Sequence, residues 1–153
     1  MRFTIVSGDA GRVAEIESIA RRTWPSAYSE ILLSGQIEYM LGMMYSHDAL
    51  REQMSSKQHR FLITESVAEA RGASVGFTSF QLDFPQPGIT KIHKLYVLPE
   101  AQHLGVGKRL LDRGDSFLCT RPDLPKCSGY PRDRNHICLR KQGHQSRHRG
   151  CSF

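Results

Sequence analysis

The stretch from Leu95 to Leu111 limits the fold of this chain more than any other. It reads Leu-Tyr-Val-Leu-Pro-Glu-Ala-Gln-His-Leu-Gly-Val-Gly-Lys-Arg-Leu-Leu. The pattern predicts an apolar strand that ends before Pro99, a turn that contains Gly105 and Gly107, and an amphipathic helix. The first N–H groups of a helix have no intrahelical acceptor and carry partial positive charge, and glycine lets a ligand approach them closely. The stretch therefore predicts a binding site for phosphate or diphosphate between the strand and the helix.

Two common phosphate-binding motifs are absent from this stretch. A P-loop needs Gly-x-x-x-x-Gly-Lys followed by Ser or Thr, and a dinucleotide-binding loop needs Gly-x-Gly-x-x-Gly. Neither pattern occurs between Leu95 and Leu111. The residues alone leave one alternative open, in which the two glycines only allow tight packing between the strand and the helix.

The residues before this stretch predict a series of strands and helices. Apolar residues spaced by two indicate strands, and apolar residues spaced by three or four indicate helices. The Trp24-Pro25 pair is predicted to end the first helix, because proline disfavours a helical residue before it. The predicted elements are a strand around Phe3 and Ile5, a helix from Val13, short helices around Met40 and Met54, an antiparallel hairpin of strands 60–64 and 75–82, a strand at 91–98 and a helix from Gly105.

The predicted strand at 91–98 does not alternate regularly. Ile92 and Lys94 would share one face, yet Lys94 is charged while Leu95 and Val97 are apolar. One extra residue near His93 and Lys94, a β-bulge, would reset the alternation. The alternative is a central strand that is apolar on both faces, with Lys94 at a solvated end.

The segment Gln102-His103-Leu104-Gly105-Val106-Gly107 resembles the Arg/Gln-x-x-Gly-x-Gly/Ala motif of the GNAT N-acetyltransferases, and the preceding Leu-Tyr-Val-x-Pro resembles the fourth strand of that family. The resemblance covers residues 1–118. It implies an α/β (α+β) fold in which a mixed, mostly antiparallel central sheet is flanked by helices. It also implies an enzyme that moves acetyl from acetyl-CoA, its cosubstrate, to a primary amine.

The same resemblance implies which residues bind the cofactor. In the family, the loop amides hold the pyrophosphate of coenzyme A, and the backbone of the preceding strand binds its pantetheine arm. The corresponding residues are Leu95, Tyr96, Val97, Gln102, His103, Leu104, Gly105, Val106, Gly107 and Lys108. His93 is a candidate general base, because the pKa of a histidine is about 6.5, which is close to neutral pH. The alternative is a strand histidine that has no catalytic role.

The acceptor is less defined than the cofactor. Segments 23–28, 36–41 and 44–46 are similar to a bacterial branch that includes spermidine/spermine N-acetyltransferases. A polyamine, another small-molecule amine and a protein amine all remain open. No stretch approaches the ~20 apolar residues of a membrane span, so we predict a cytoplasmic protein. A homodimer is left open.

Composition changes sharply near Leu118. Residues 1–118 carry 13 Lys and Arg against 13 Asp and Glu, whereas residues 119–153 carry 8 against 2 and contain all four cysteines. We predict an acetyl-CoA-binding core at 1–118 and a basic, disordered tail at 119–153. The tail has too few aliphatic residues to supply the fifth strand and fourth helix of a GNAT domain. The C-terminal part of the fold is therefore predicted to be incomplete, without the tyrosine that usually protonates the leaving thiolate.

Three interpretations of the tail are open. A reading-frame shift near residue 118 is the first: the codons for residues 137–143, read one base later, can spell Ser-Ala-Tyr-Glu-Asn-Lys-Gly, which resembles the missing family signature. The chain would then be a catalytically inactive remnant. In the second, Cys138, His144, His148 and Cys151 bind zinc, although no Cys-x-x-Cys pair is present. In the third, basic residues contact nucleic acid. We predict no metal and no specific nucleic acid.

Overall fold

A computed structural model describes residues 2–67, 72–87 and 90–119. Over these ranges, strands and helices follow one another in the predicted order. The strands are β1 Phe3–Gly8, β2 Arg60–Ser66, β3 Ser74–Leu82 and β4 Thr90–Val97. The helices are α1 Val13–Tyr28, α2 Ser34–Tyr45, α3 His47–Ser55 and α4 Val106–Cys119, with short 3-10 turns at Ala10–Arg12 and Pro99–Ala101.

The strands form one antiparallel sheet in the order β1-β2-β3-β4. The predicted hairpin of β2 and β3 is present, and Ile63 lies opposite Phe77 in it. Within the described residues β4 is an edge strand, so one side of its backbone has no strand partner there. This antiparallel sheet with flanking helices confirms the predicted α/β fold class.

Helices pack on both faces of the sheet and divide the core in two. Phe61 and Phe77 belong to the cluster that α1, α2 and α3 bury, whereas Leu62 and Phe80 pack with Leu110 of α4. Successive strand residues point to opposite faces, which is why the neighbours Phe61 and Leu62 contact different helices. The sheet therefore has an α1–α3 side and an α4 side.

The prediction that Trp24-Pro25 ends the first helix is wrong. α1 continues to Tyr28, and the Ser29 N–H donates to the Pro25 carbonyl at 3.1 Å. Proline removes one backbone donor and disfavours a helical conformation at Trp24. Trp24 is nevertheless only 4% exposed, and Tyr28 packs against the same cluster. Burial of these two aromatic side chains outweighs the local preference.

β4 contains the predicted bulge at His93. Phe80 of β3 lies opposite Ile92 and Ser79 lies opposite Lys94, so His93 is the extra residue. After the bulge, Lys94 lies on the α1–α3 side, with its Nζ 4.6 Å from the centroid of the Tyr45 ring. The bulge interpretation is confirmed, and the alternative of a regular strand with Lys94 at a solvated end is wrong.

Gly76 lies where β3, β4 and α4 meet, and it supplies a test of this packing. A Cβ there would be 2.9 Å from the Tyr96 carbonyl oxygen and 3.3 Å from Val106 Cγ1. We expect Gly76→Ala to lower the free energy of unfolding by about 2 kcal/mol, because backbone must move to admit the methyl group. Gly42→Ala in α2, where a Cβ meets nothing within 4 Å, should raise it by roughly 0.5–1 kcal/mol. Urea unfolding measures both, and equal stability of the two variants would contradict the close contact.

Candidate functional site

The connection between β4 and α4 turns through residues with positive φ. His103 has a φ of 63° and Gly105 a φ of 77°, a conformation that glycine adopts freely and that costs most other residues roughly 1–2 kcal/mol. A Cβ at Gly105 would meet no atom within 4 Å, and one at Gly107 would meet only Val97 Cγ2, at 3.9 Å. Tight packing therefore does not explain these glycines. We call residues 102–108 the phosphate loop.

The start of α4 leaves backbone donors available to a ligand. The Arg109 N–H donates to the Gly105 carbonyl at 3.1 Å. The N–H groups of Val106, Gly107 and Lys108 come before this bond, and no carbonyl in the described parts of the chain accepts a hydrogen bond from them. Residues 102–105 are exposed. Unpaired donors next to open space are the two requirements of an anion site at a helix start.

Two cations follow these donors directly. Lys108 and Arg109 are both exposed, and Lys108 Nζ lies 3.4 Å from Asp112 Oδ2. Both partners of this pair are more than half exposed, so it contributes only about 0.3–0.5 kcal/mol. Such a weak pair does not prevent Lys108 from contacting an anionic ligand.

Gln102 connects the phosphate loop to the end of β4. Its Nε2 donates to the Val97 carbonyl oxygen at 3.0 Å. Tyr96 and Val97 are half-buried, whereas the Leu95 side chain is 37% exposed at the sheet edge. The predicted strand residues Leu95–Val97 and the predicted loop residues therefore form one continuous structure. Within it, the Gln102 side chain holds the loop and contacts protein backbone.

His93 projects from the bulge and stacks on His59. The ring centroids are 4.0 Å apart with 18° between the planes, and His93 Nε2 lies 3.3 Å from Gln81 Oε1. Burial, and then the charges of Lys91 and Lys94, lower the pKa of His93 below its ordinary 6.5. Burial, and then the neighbouring His93 and lysines, lower the pKa of His59 to about 4. Both shifts favour the neutral form of the ring, which has one N–H donor and one proton-accepting nitrogen.

The histidine pair opens into a surface cavity of about 320 Å³. Its wall is formed by the α3–β2 connection and by the facing ends of β3 and β4. The lining residues are Ser56, Lys57, Gln58, His59, Gln81, Phe84 and His93, so no carboxylate among the described residues lines it. We call it the basic cavity. A rise of about 3.4 Å per residue places His93 roughly 14 Å along β4 from Val97, the last residue of the strand, whose carbonyl accepts from Gln102 of the phosphate loop.

The sequence did not identify Lys94 and His59 as site residues. Lys94 Nζ donates to Gln53 Oε1 and lies over the Tyr45 ring, and burial lowers the pKa of Lys94 to about 8. The irregular alternation of strand 91–98 was a signal for Lys94. His59 gives no local signal, because its stacking partner His93 comes from a distant strand.

Several predictions concern residues that the structure does not describe. Cys138, His144, His148 and Cys151, the frame-shift segment 137–143 and the rest of the basic tail all lie beyond residue 119. Within the described ranges, no three His, Cys, Asp or Glu side chains are grouped to hold a metal ion. In the same ranges, no helix has the length and apolar character needed to cross a membrane.

A model of the acetyltransferase (GNAT) family matches residues 13–117, which is more than half of the chain. This chain belongs to the GNAT acetyltransferase family. The matched range contains β4 and the phosphate loop, so the family resemblance of the motif is confirmed. Acetyl-CoA is the acetyl donor of the family, and the chain is by family an acetyl-CoA-dependent N-acetyltransferase.

Solved structures of other acetyltransferases share the fold of this GNAT chain. PaiA N-acetyltransferase from Thermoplasma acidophilum, in complex with coenzyme A, is 21% identical with a TM-score of 0.66, covering 77% of this chain and 72% of that one. A GNAT family acetyltransferase from Staphylococcus aureus Mu50 is 11% identical, with a TM-score of 0.56 and coverages of 76% and 66%. The ribosomal-protein-S18-alanine N-acetyltransferase from Escherichia coli is 14% identical, with a TM-score of 0.52 and coverages of 76% and 59%. None of the curated proteins matches the sequence.

Proposed function

We propose that this GNAT acetyltransferase binds acetyl-CoA along the end of β4 and the phosphate loop, and transfers the acetyl group to a primary amine. The observation that carries the proposal is the start of α4, where Gly105 adopts a φ of 77° beside open space and the following amides have no acceptor in the described chain. The diphosphate of coenzyme A is an anion that such donors bind. The exposed side chains of Lys108 and Arg109 add the positive charge that a diphosphate requires.

Each predicted cofactor residue has a role in this proposal. The amides of the loop residues 104–108 donate to the diphosphate, and the backbone of Leu95–Val97 binds the arm. Gln102 acts indirectly, because its side chain fixes the loop on the Val97 carbonyl. His103 supplies a second positive-φ residue that shapes the turn.

His93 takes the proton of the acceptor amine in this proposal. When bound, acetyl-CoA supplies the thioester that the neutral amine attacks: the C–N bond forms, the C–S bond breaks, and the leaving thiolate takes a proton from water. Burial lowers the pKa of His93 below 6.5, which favours its neutral, proton-accepting form, and His93 precedes Leu95 by about 7 Å along the strand. A base at that place can accept the proton directly or through a water molecule.

The acceptor, the location and the assembly remain proposals. A small-molecule amine, including a polyamine, and a protein amine are both compatible with the family, and the sequence similarity to the spermidine branch favours the former. A cytoplasmic location, a homodimer and the division into a 1–118 core and a 119–153 tail are predictions of the sequence that belong to the same proposal.

Calorimetric titration with acetyl-CoA, followed by release of free CoA thiol in the presence of amines, tests the proposal. We expect binding in the micromolar range and thiol release that depends on an added amine such as spermidine or a lysine peptide. Adenosine 3′,5′-bisphosphate, which has no diphosphate, is the control ligand and should bind more weakly. Binding without any amine-dependent release would contradict the enzyme and support the inactive remnant.

A further inference from the structure

We propose that the basic cavity binds the anionic group, a carboxylate or a phosphate, of the acceptor amine. This inference rests on the proposed N-acetyltransferase function and narrows its acceptors to amines that also carry a negative charge. It separates them from polyamines, which carry only positive charge and which the resemblance of segments 23–28, 36–41 and 44–46 leaves open.

The charges around the basic cavity are mostly positive and mostly uncompensated. Lys91 Nζ lies 4.9 Å from the centroid of the Phe84 ring in the cavity wall, and Lys94 donates to the neutral Gln53. In the described ranges neither lysine has a carboxylate within ion-pair distance. Lys57, which lines the cavity, pairs with Glu52 at 3.5 Å, and both partners are more than half exposed. Lys91 and Lys94 do not line the cavity themselves, but their charges act on His93, which does. Together with Lys57 they make the potential at the cavity positive, which favours an anion there.

The lining of the cavity can satisfy an oxyanion by hydrogen bonds as well as by charge. A neutral His59 carries one N–H donor, and the side chains of Gln58, Gln81 and Ser56 add further donors, whereas His93 Nε2 faces Gln81 Oε1. Asp83 directly precedes Phe84, yet it is not among the residues that line the cavity. Donors without an acidic lining residue are suited to a carboxylate or a phosphate rather than to an ammonium group.

The lowered pKa values of His59 and His93 are consistent with the same positive potential. Burial is the largest cause of the lowered pKa of His93, and the charges of Lys91 and Lys94 lower it further. Burial is also the largest cause that lowers the pKa of His59 to about 4, and the charges of His93 and of the nearby lysines add to that shift. An anion in the cavity would oppose these charges and raise the pKa of both rings. The ligand and the proton should therefore promote the binding of each other.

The position of the cavity connects it to the acceptor. His93 is both a lining residue and the bulged residue that precedes the predicted pantetheine-binding segment Leu95–Val97. A small molecule held here by its anionic group would place an amine a few bonds away next to that segment. A volume of about 320 Å³ is within the range of small-ligand sites.

The first measurement is a pH titration of the histidine ring signals by NMR, with and without inorganic phosphate or acetate. We expect either anion to raise the pKa of the His59–His93 pair in the parent chain and to have less effect in Lys91→Gln. Arg51→Gln removes one positive charge from the exposed face of α3, where Arg51 pairs with Asp48 at 3.6 Å, and is the control for net charge. It should respond to the anions as the parent does.

The second measurement compares acetyl transfer to matched acceptors. Each pair differs in one anionic group: 4-aminobutyrate against n-butylamine, and O-phosphoethanolamine against ethanolamine. We expect kcat/KM to be roughly 10-fold higher or more for the anionic member, lowest for spermidine, and nearly equal within each pair in Lys91→Glu. The pair with the larger ratio of kcat/KM between its anionic and its neutral member shows whether the cavity prefers a carboxylate or a phosphate. Calorimetric titration with acetyl-CoA shows that each variant is folded.

The outcomes separate this inference from the proposed function. Transfer that favours spermidine, or ignores the anionic group, overturns the inference and leaves the enzyme intact. A shift of the histidine pKa values by phosphate without any preference among acceptors also overturns it, because the anion site would then be separate from the acceptor site. If no amine is acetylated, the proposed function fails, and the NMR titration alone decides whether the cavity binds an oxyanion.

Discussion

Gly105→Asn is expected to weaken acetyl-CoA binding by about 100-fold while changing the stability of the chain little. Asparagine tolerates a positive φ better than other side chains, so it can adopt the φ of 77° at this position. Its amide group must then extend into the space in front of the loop, where a Cβ meets no protein atom within 4 Å. In the proposed complex that space holds the diphosphate.

The size of this effect follows from the hydrogen bonds that the substitution removes. A charge-assisted hydrogen bond contributes about 1.5–3 kcal/mol, and a loss of about 2.7 kcal/mol is a factor of 100 in affinity. The loop has three amides without an acceptor in the described chain, at Val106, Gly107 and Lys108. Displacing the diphosphate from one or two of these amides is sufficient for a 100-fold loss of affinity.

Gly42→Asn is the matched control for Gly105→Asn. Gly42 is exposed in α2, and a Cβ there also meets nothing within 4 Å. The same chemical change at that position should leave the Kd for acetyl-CoA within about twofold, because surface substitutions away from a site have small effects. Calorimetric titration measures both variants. Unchanged binding by Gly105→Asn would show that the loop does not hold the diphosphate.

The phosphate loop could be predicted from the sequence because its determinants are local. A proline that stops a strand, two glycines and an amphipathic helix follow one another within the stretch from Leu95 to Leu111. A bulge near His93 and Lys94 was one of the two interpretations of strand 91–98 for the same reason, since a period of two is a local pattern and its interruption can be seen in one strand. The structure contains the predicted turn between β4 and α4, with Gly105 at positive φ, and the bulge.

The basic cavity could not be predicted, because its members meet only through the tertiary fold. His59 follows α3, Gln81 lies near the end of β3 and His93 lies in β4, and only the antiparallel register brings them to one place. The failure at Trp24-Pro25 has the same origin. A rule about two neighbouring residues could not include the buried cluster that Trp24 and Tyr28 join. Burial among residues that are distant in sequence therefore determined the structure at both places, and local patterns do not include it.

His93→Gln is expected to lower kcat/KM for acetyl transfer by at least about 100-fold at pH 7. A positioned general base contributes roughly 100-fold to 10,000-fold, and glutamine retains a polar side chain of similar size that cannot accept the proton at this pH. Its amide can still contact Gln81, which lies 3.3 Å from His93 Nε2. The variant should therefore keep its fold and its affinity for acetyl-CoA. His47→Gln, at an exposed position of α3, is the histidine control and should stay within about twofold of the parent.

The pH dependence distinguishes a base from a residue that only positions the strand. The neutral form of His93 is the active one, and burial lowers its pKa below 6.5. The parent should therefore lose the contribution of the base only as the pH falls through that lowered pKa. At pH 9 a larger share of the acceptor amine is neutral without help, so the ratio of parent to variant rates should shrink by roughly 10-fold. A ratio that stays constant from pH 6 to pH 9 would assign His93 a structural role.

A comparison of the pH profiles of kcat/KM and kcat for the parent tests whether the acceptor places its anionic group in the basic cavity beside this base. The acidic limb of kcat/KM reports the free enzyme, and that of kcat reports the enzyme with substrates bound. An acceptor that brings an anion next to His59 and His93 opposes the charges of Lys91 and Lys94, and so raises the pKa of the base in the complex. The acidic limb of kcat should then lie at higher pH than that of kcat/KM for 4-aminobutyrate, and at the same pH for n-butylamine. Identical limbs for both acceptors would mean that the acceptor does not reach the field of these lysines.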